Sequence, residues 1–239
     1  MVHLFVAAVA DIHSPKYLDT FKDALGRLGK CDLFLIAGDL VLKNDWTQLP
    51  AVVNAIREVY DGQILACFGN EEYEQDQGKY KGFQGLKWVE GAETIEIRGL
   101  KVGVVGSRGS LDRPTFWQRT HVKEIGQIYR QRVEATDRAL AELRADVKIV
   151  MTHYAPTSAT LKGERESTWP ELACRRFEDV IRRRQPDVWF HGHAHRGTEF
   201  ETTMGRTLIS NVSLPARREI VLVDLPRKVG IEKFFKPRG

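Results

Sequence analysis

The order of hydrophobic and polar positions along the chain predicts a sheet of buried strands. Five runs that are almost entirely apolar are separated by more polar segments. Such runs are typical of strands covered on both faces, whereas a strand with one face in water alternates apolar and polar residues. The five predicted strands are residues 4–10, 33–37, 64–68, 147–151 and 187–190.

Amphipathic segments between these strands predict helices. Apolar residues recur every three or four positions, which is helical spacing, although Arg132 and Thr136 interrupt the apolar stripe of the third segment. Strands that alternate with helices predict an α/β fold. The predicted helices are residues 15–28, 46–60, 122–144 and 170–184.

The rest of the chain reads as additional strands and loops. No internal repeat or low-complexity linker occurs, so we predict a single domain over residues 1–239, whose basic tail, 226–239, we leave unplaced. A hairpin is predicted at 93–97 and 101–105, three strands at 198–203, 207–211 and 219–223, and polar loops at 71–87, 106–120 and 155–168.

Composition is typical of a globular protein, with 42% hydrophobic and 28% charged residues. The net charge of +4 suits anionic substrates without requiring nucleic acid. No apolar run approaches the ~20 residues that span a bilayer, and no basic leader precedes the first one, so we expect no membrane partner and no signal peptide. Three cysteines in apolar surroundings are typical of reduced core residues in a cytoplasmic protein.

Side chains that can bind metals stand at the ends of all five predicted strands. The last strand leads into three histidines within residues 191–195, and neutral imidazole is a common ligand of divalent metals. A single Gly-Asp or Asp-x-His is common in turns, but here every strand end carries such a group. Ligands bind outside the carboxyl ends of strands in α/β sheets, so these groups can converge in one cleft. The candidates are Asp11, His13, Asp39, Asn70, His153, His193 and His195.

Seven oxygen and nitrogen donors suit two ions that share a carboxylate better than one tetrahedral ion. Asp11-x-His13, Gly38-Asp39, Gly69-Asn70, His153 and Gly192-His193-x-His195 resemble the motifs of the calcineurin-like metallophosphoesterase superfamily, over about residues 4–223. The resemblance implies a four-layered α/β/β/α sandwich with two central mixed β-sheets. It also implies two divalent ions, for which mixed ligands admit manganese, iron, zinc or cobalt. One would be held by Asp11, His13 and His195, the other by Asn70, His153 and His193, with Asp39 bridging them.

The implied reaction is hydrolysis of a phosphoester by a hydroxide that bridges the two ions. The family usually has a histidine after Gly-Asn, which is taken to assist the leaving oxygen, and then an acidic residue. This chain has Glu71 and Glu72 there. Branches without that histidine resemble phosphodiesterases, so we predict a phosphodiesterase for small phosphoesters. The predicted catalytic residues are Asp39, Asn70, Glu71 and His153.

Two other functions stay open, as does the oligomeric state. A nuclease acting on DNA or RNA could use the arginines clustered on the predicted helix 170–184, although an exposed outer face explains them better. No aromatic residues are interleaved with them, as a stacking platform for single strands requires. A non-catalytic metal-binding scaffold is the alternative of another class, although no candidate ligand is missing. The clustered arginines are Arg175, Arg176, Arg182, Arg183 and Arg184.

Five more residues are candidates near the predicted site. Arg108 and Arg113 could bind a phosphate or be solvated, and Trp117 and Tyr154 could line a substrate pocket. We expect His191 to pack or form a hydrogen bond behind the site.

Overall fold

The computed structural model describes residues 2–226, which form two mixed β-sheets with helices on their outer faces. Their strands are β1 (Leu4–Val9), β2 (Leu33–Ala37), β3 (Ile64–Cys67), β4 (Lys87–Trp88), β5 (Gly91–Ile97), β6 (Leu100–Ser107), β7 (Val147–Thr152), β8 (Val188–His191), β9 (Glu201–Met204), β10 (Thr207–Asn211) and β11 (Val221–Leu225). One sheet has the order β11-β1-β2-β3-β4 and the other β5-β6-β7-β8-β10-β9.

The parallel strands lie in the middle of both sheets. Strands β1, β2, β3 and β4 run parallel, with β11 antiparallel at one edge. Strands β6, β7, β8 and β10 run parallel, flanked by antiparallel β5 and β9. The carboxyl ends of β1, β2 and β3 therefore point the same way in one sheet, as do those of β7 and β8 in the other.

The helices are α1 (Leu18–Leu25), α2 (Leu49–Arg57), α3 (Gln77–Lys81), α4 (Phe116–His121), α5 (Ile125–Glu142), α6 (Arg176–Arg184) and α7 (Leu214–Arg217). Helices α1 and α2 pack on the outer face of the first sheet, whereas α5 and α6 cover the second. No helix in the part of the chain that the structure describes is both long and apolar enough to cross a membrane.

Alternate strand residues explain why the apolar runs are continuous. In β1, Leu4, Val6 and Ala8 pack between the two sheets, whereas Ala7 and Val9 pack under α1 and α2. Both faces of the strand are thus removed from water, which requires apolar residues at every position. The predicted four-layered α/β/β/α sandwich is confirmed.

Several predicted element boundaries were wrong. The predicted helix 122–144 begins only at Ile125, because Glu124 has a left-handed backbone (φ 55°), and a separate helix, α4, precedes it. The predicted helix from residue 170 begins at Arg176, after a 3₁₀ turn that contains Pro170. Within the predicted loop 71–87 lies α3, and β4 follows it to pair with β3. The tail lies outside the described residues from 227 onward.

Candidate metal centre

The loops after β1, β2, β7 and β8 are joined by backbone hydrogen bonds. The Asp11 N–H donates to the Gly38 carbonyl at 3.1 Å, and the His13 N–H donates to the Asp39 carbonyl at 3.0 Å. In the second sheet, the Gly192 N–H, after β8, donates to the His153 carbonyl, after β7, at 3.0 Å. These bonds bring side chains from distant parts of the sequence to one edge of the sandwich.

Four of the predicted ligands have a backbone conformation that side chains other than glycine rarely adopt. Asp11, His13, Asp39 and His193 have φ values of 60°, 43°, 54° and 68°. Positive φ at non-glycine residues is uncommon and clusters at functional sites, where the surrounding structure holds it. The strand ends are therefore bent so that successive side chains face a common centre.

Close approach of the loops requires glycine at position 192. A Cβ there would lie 2.5 Å from the Ala10 Cβ and 2.7 Å from Asp11 Oδ2. The same Asp11 oxygen accepts a 2.9 Å hydrogen bond from the His193 N–H. Gly192 thus lets the histidine segment dock on the end of β1.

Asp11, His13 and His195 form the first of three groups of side chains, among the described residues, that could hold a metal ion. His195 Nε2 lies 3.1 Å and His13 Nε2 3.8 Å from Asp11 Oδ1. All three atoms are buried, and none has a hydrogen-bond partner. Ligand bonds of about 2.0–2.2 Å place neighbouring donors roughly 3–3.5 Å apart around one ion. Unsatisfied donor atoms 3.1 and 3.8 Å apart, one pair at this spacing and the other slightly wider, fit a divalent cation.

The second group contains Asp39, His153 and His193. Asn70 joins it, since its Oδ1 lies 2.9 Å from His153 Nε2. Asp39 Oδ2 lies 3.3 Å from His153 Nε2 and 3.7 Å from His13 Nε2 of the first group. The Asp39 carboxylate therefore stands between the two groups, the position that a bridging ligand requires.

A backbone carbonyl orients His153. Its buried Nδ1 lies 3.1 Å from the Ala37 carbonyl oxygen, to which it donates, and Nε2 consequently points at Asp39 and Asn70. Such bonds behind a ligand fix the ring orientation of metal-binding histidines. His191, also buried, has Nε2 bonded to the Thr160 hydroxyl at 2.8 Å and Nδ1 bonded to the Gly192 carbonyl at 2.9 Å. Both of its ring nitrogens are thus engaged behind the centre.

The charges of the centre attract cations. Burial by itself raises the pKa of the Asp11 carboxyl, but the imidazoles around it, His195 first, hold it well below its usual range. Burial opposes a charge on His153, yet the Asp39 carboxylate raises the pKa of His153 to about 9. Burial and then His153 lower the pKa of His193 to about 3, so His193 is a neutral imidazole. The carboxylates stay ionised, and a dication would replace the proton that they draw onto His153.

The two adjacent glutamates point in different directions. Glu71 is half-buried, and one of its carboxylate oxygens lies within 4.8 Å of donor atoms of His13 and Asp39. Its Oε2 accepts a hydrogen bond from the Lys43 N–H. Glu72 is fully buried and accepts hydrogen bonds from the N–H groups of Asp39 (3.0 Å), Leu40 (2.7 Å) and Gly69 (2.7 Å).

Glu72 therefore clamps the loops that carry Asp39 and Asn70. Burial, and then the Asp39 carboxylate, raise the pKa of Glu72 to about 7, against the effect of its N–H donors. Sequence reasoning gave Glu72 no role of its own, because nothing in the letters Glu-Glu indicates which of the two is turned inward.

Of the other candidates, Tyr154 lies nearest to the centre. Its buried ring packs edge-on against the His193 ring, with the ring centroids 4.8 Å apart. Its hydroxyl accepts a 3.2 Å hydrogen bond from the side-chain amide of Gln118 in α4. Trp117, on the same helix, is 61% exposed and stacks on His121. Arg113 is bound to Glu171 and to the Ser167 carbonyl.

Most of the clustered arginines are engaged by acids of the chain itself. Arg175 pairs with Asp112, Arg182 with Glu178 and Asp179, and both Arg183 and Arg184 with Asp137. These pairs use the charges that a nucleic-acid surface would offer to phosphates, which favours the exposed-face interpretation of the cluster.

A family model described as calcineurin-like phosphoesterase matches residues 6–197 of the chain. A comparison with curated proteins gives no match. Among solved structures, the chain is similar to phosphopantetheinyl hydrolase from Mycobacterium tuberculosis, with a TM-score of 0.67, 14% identity and 99% of each chain covered. It is also similar to the anchor in the inner membrane complex of Plasmodium (TM-score 0.58, 12% identity, 94% of this chain and 82% of that one). A third similar structure is the 5'-nucleotidase precursor from Thermus thermophilus, with a TM-score of 0.55 and 14% identity, where 93% of this chain and 54% of that one are covered. At such identities these likenesses establish a shared fold.

Proposed function

Since the chain belongs to the calcineurin-like phosphoesterase family, we propose that it hydrolyses phosphoesters, and phosphodiesters in preference, with two divalent ions of manganese, iron, zinc or cobalt. The observation that carries the proposal is the Asp39 carboxylate standing between two groups of buried donors. Two neighbours are named as a hydrolase and a nucleotidase, but another is named as an anchor, so the donor set and not the fold carries the proposal.

Each residue of the centre would have a distinct role in metal binding or catalysis. Asp11, His13 and His195 would hold one ion, Asn70, His153 and His193 the other, and Asp39 both. Bound there, the ions would polarise the phosphoryl oxygens and supply hydroxide near neutral pH. Asp39, Asn70 and His153 would thereby fix the position of the reacting groups, and Tyr154 would close one side of the centre against water.

The preference for diesters follows from Glu71. Its carboxylate lies beside His13 and Asp39, on the centre where the phosphate would bind. A monoester dianion carries one more negative charge than a diester anion. One extra charge about 6 Å away costs on the order of 1–3 kcal/mol at effective dielectrics between 20 and 50. Glu71 therefore disfavours monoesters.

The first test is hydrolysis of bis-p-nitrophenyl phosphate by the full chain. We expect turnover that a chelator abolishes and that added manganese restores, because the donors require a cation to act. An inactive protein that nevertheless binds two ions tightly would favour the scaffold alternative. Activity on DNA or RNA that exceeds the diester activity and falls steeply with salt would favour the nuclease.

Glu71→Gln should raise kcat/KM for p-nitrophenyl phosphate relative to bis-p-nitrophenyl phosphate by roughly tenfold, the lower half of that energy range. The amide oxygen of Gln can still accept the Lys43 N–H, so the loop should keep its shape. Glu58→Gln, an exposed change at the far end of α2, is the matched control and should leave the ratio unchanged. An unchanged ratio in Glu71→Gln would show that this carboxylate does not act on the phosphate.

A further inference from the structure

A cavity of about 360 Å³ lies beside the carboxyl ends of β3 and β6. Phe68 and Arg108 line it from these two strand ends, and α5 closes it from the other side. The lining residues with charged or amide side chains are Arg108, Gln131, Arg132, Gln77, Glu74 and Glu90. No candidate ligand of the metal centre is among them.

Two arginines face this cavity without acidic partners. Arg108 Nη2 donates to the Glu72 carbonyl at 2.7 Å, whereas its buried Nε has no hydrogen-bond partner. Arg132 Nη1 donates only to the Gly109 carbonyl, at 3.4 Å. Among residues 2–226, no carboxylate lies within 4.0 Å of either guanidinium.

The two cations repel each other in a partly buried site. Burial and then Arg108 lower the pKa of the Arg132 guanidinium, although Arg132 stays charged at neutral pH. Burying a charge without a counterion is costly, so two such charges together require an explanation. The arrangement becomes favourable when an anion enters between them.

The same residues interrupt the apolar stripe of α5. Thr136 lines the cavity one turn after Arg132 and uses its hydroxyl to bond the Arg132 carbonyl at 2.8 Å. An apolar residue at position 132 would continue the stripe along the second sheet. The polar residues that interrupt the stripe therefore mark, in the sequence, the point of the helix at which the cavity lies.

The acids around the cavity leave the arginines free to bind an anion. Glu90 is paired with Lys81 at 2.5 Å. Glu74 is exposed, attracts Arg132 from a distance, and is not within ion-pair distance of it. Glu74 therefore weakens the positive potential of the cavity without cancelling it.

The arginine cavity is connected to the metal centre through single residues. Arg108 holds the carbonyl of Glu72, whose carboxylate clamps Asp39 and Gly69. The Arg108 carbonyl in turn accepts a 3.1 Å hydrogen bond from the N–H of Tyr154, the residue after His153. Arg108 therefore adjoins both the loop that Glu72 clamps and the loop that carries His153.

We propose that the cavity binds a second anionic group of the substrate, a phosphate or a carboxylate, so that the preferred phosphoester carries a negative charge apart from its scissile phosphate. The part that concerns substrate rests on the proposed function. The binding of an anion in the cavity does not, because it needs no turnover.

Isothermal titration of the full chain, supplied with manganese, tests the proposal. The probes are methylphosphonate, with one anionic group, and phosphonoacetate, 3-phosphonopropionate and 4-phosphonobutyrate, with two groups at increasing separation. At least one of the longer probes should bind more tightly than methylphosphonate. Arg132→Gln should raise the Kd of that probe about tenfold and leave methylphosphonate unchanged, since one charge-assisted hydrogen bond is lost.

Two more variants complete the test: one should tighten binding, and the other is a control that should not change it. Glu74→Gln removes the opposing charge and should lower the Kd of the longer probe. Arg130→Gln, an exposed change on the same helix, should leave every Kd unchanged. Equal effects of Arg132→Gln on all probes, no effect on any, or no preference for a longer probe in the unaltered chain would overturn the proposal. Because binding is measured, an inactive enzyme would contradict the proposed function alone.

Discussion

Asp39→Asn should leave the chain with fewer than two bound ions and remove nearly all of its phosphoesterase activity. The Asp39 Oδ2 atom lies 3.7 Å from His13 Nε2 and 3.3 Å from His153 Nε2, so one carboxylate serves both ligand groups. The amide of Asn has no charge and only one good acceptor atom. In the proposed dinuclear centre, loss of the carboxylate would weaken the binding of both ions at once. Even a residue that only orients a metal ligand changes metal affinity or activity 10–100-fold when it is substituted. We therefore expect kcat/KM to fall on the order of 100-fold or more.

Metal content per chain and kcat/KM, measured on the same preparation, check this expectation. Asp45→Asn is the matched control, because Asp45 is exposed and caps a surface turn through its bond to the Thr47 N–H. Asn caps helices as well as Asp, so this variant should retain both ions and full activity. Two tightly bound ions and retained turnover in Asp39→Asn would refute the dinuclear assignment.

The fold was largely predictable because a strand that is buried on both faces can be recognised from its own sequence. A strand covered on both faces has to be apolar at every position, and the run at residues 33–37 is found as β2 without change. The strands at the edges of the sheets were harder to predict. Strand β4 contains only Lys87 and Trp88, and its pairing with β3 depends on a partner distant in sequence. Helix ends were set by local backbone choices, such as the left-handed Glu124 before α5.

The candidate site was predictable to the extent that it follows strand ends. The residues after β1, β2 and β3 come together at one sheet, and those after β7 and β8 at the other, because parallel strands of a sheet end on the same side. The direction of a loop side chain is set by tertiary contacts, which a single sequence does not contain. For this reason Glu72 and Arg132 were recognised only in the structure. The interruption of the helical stripe at Arg132 was the one signal available beforehand.

Glu72→Ala should destabilise the chain far more than the same change one residue earlier. The Glu72 carboxylate accepts the N–H groups of Asp39, Leu40 and Gly69, all of which are buried, and Ala offers them no acceptor. An orphaned buried donor costs about 1–3 kcal/mol, so three cost at least ~3 kcal/mol. For a domain of this size that corresponds to a fall in Tm of roughly 6–12 °C or more.

The neighbouring Glu71→Ala is the matched control, because half-buried Glu71 accepts a hydrogen bond from a single exposed residue, Lys43. Thermal unfolding of both variants without added metal isolates the hydrogen bonds from ion binding, which would itself stabilise the native state. A Tm of Glu72→Ala within about 2 °C of that of Glu71→Ala would mean that water replaces the carboxylate at no cost. The large difference that we expect would instead show that one buried glutamate fixes the two loops on which Asp39 and Asn70 stand, so the centre depends on a residue that binds no ion itself.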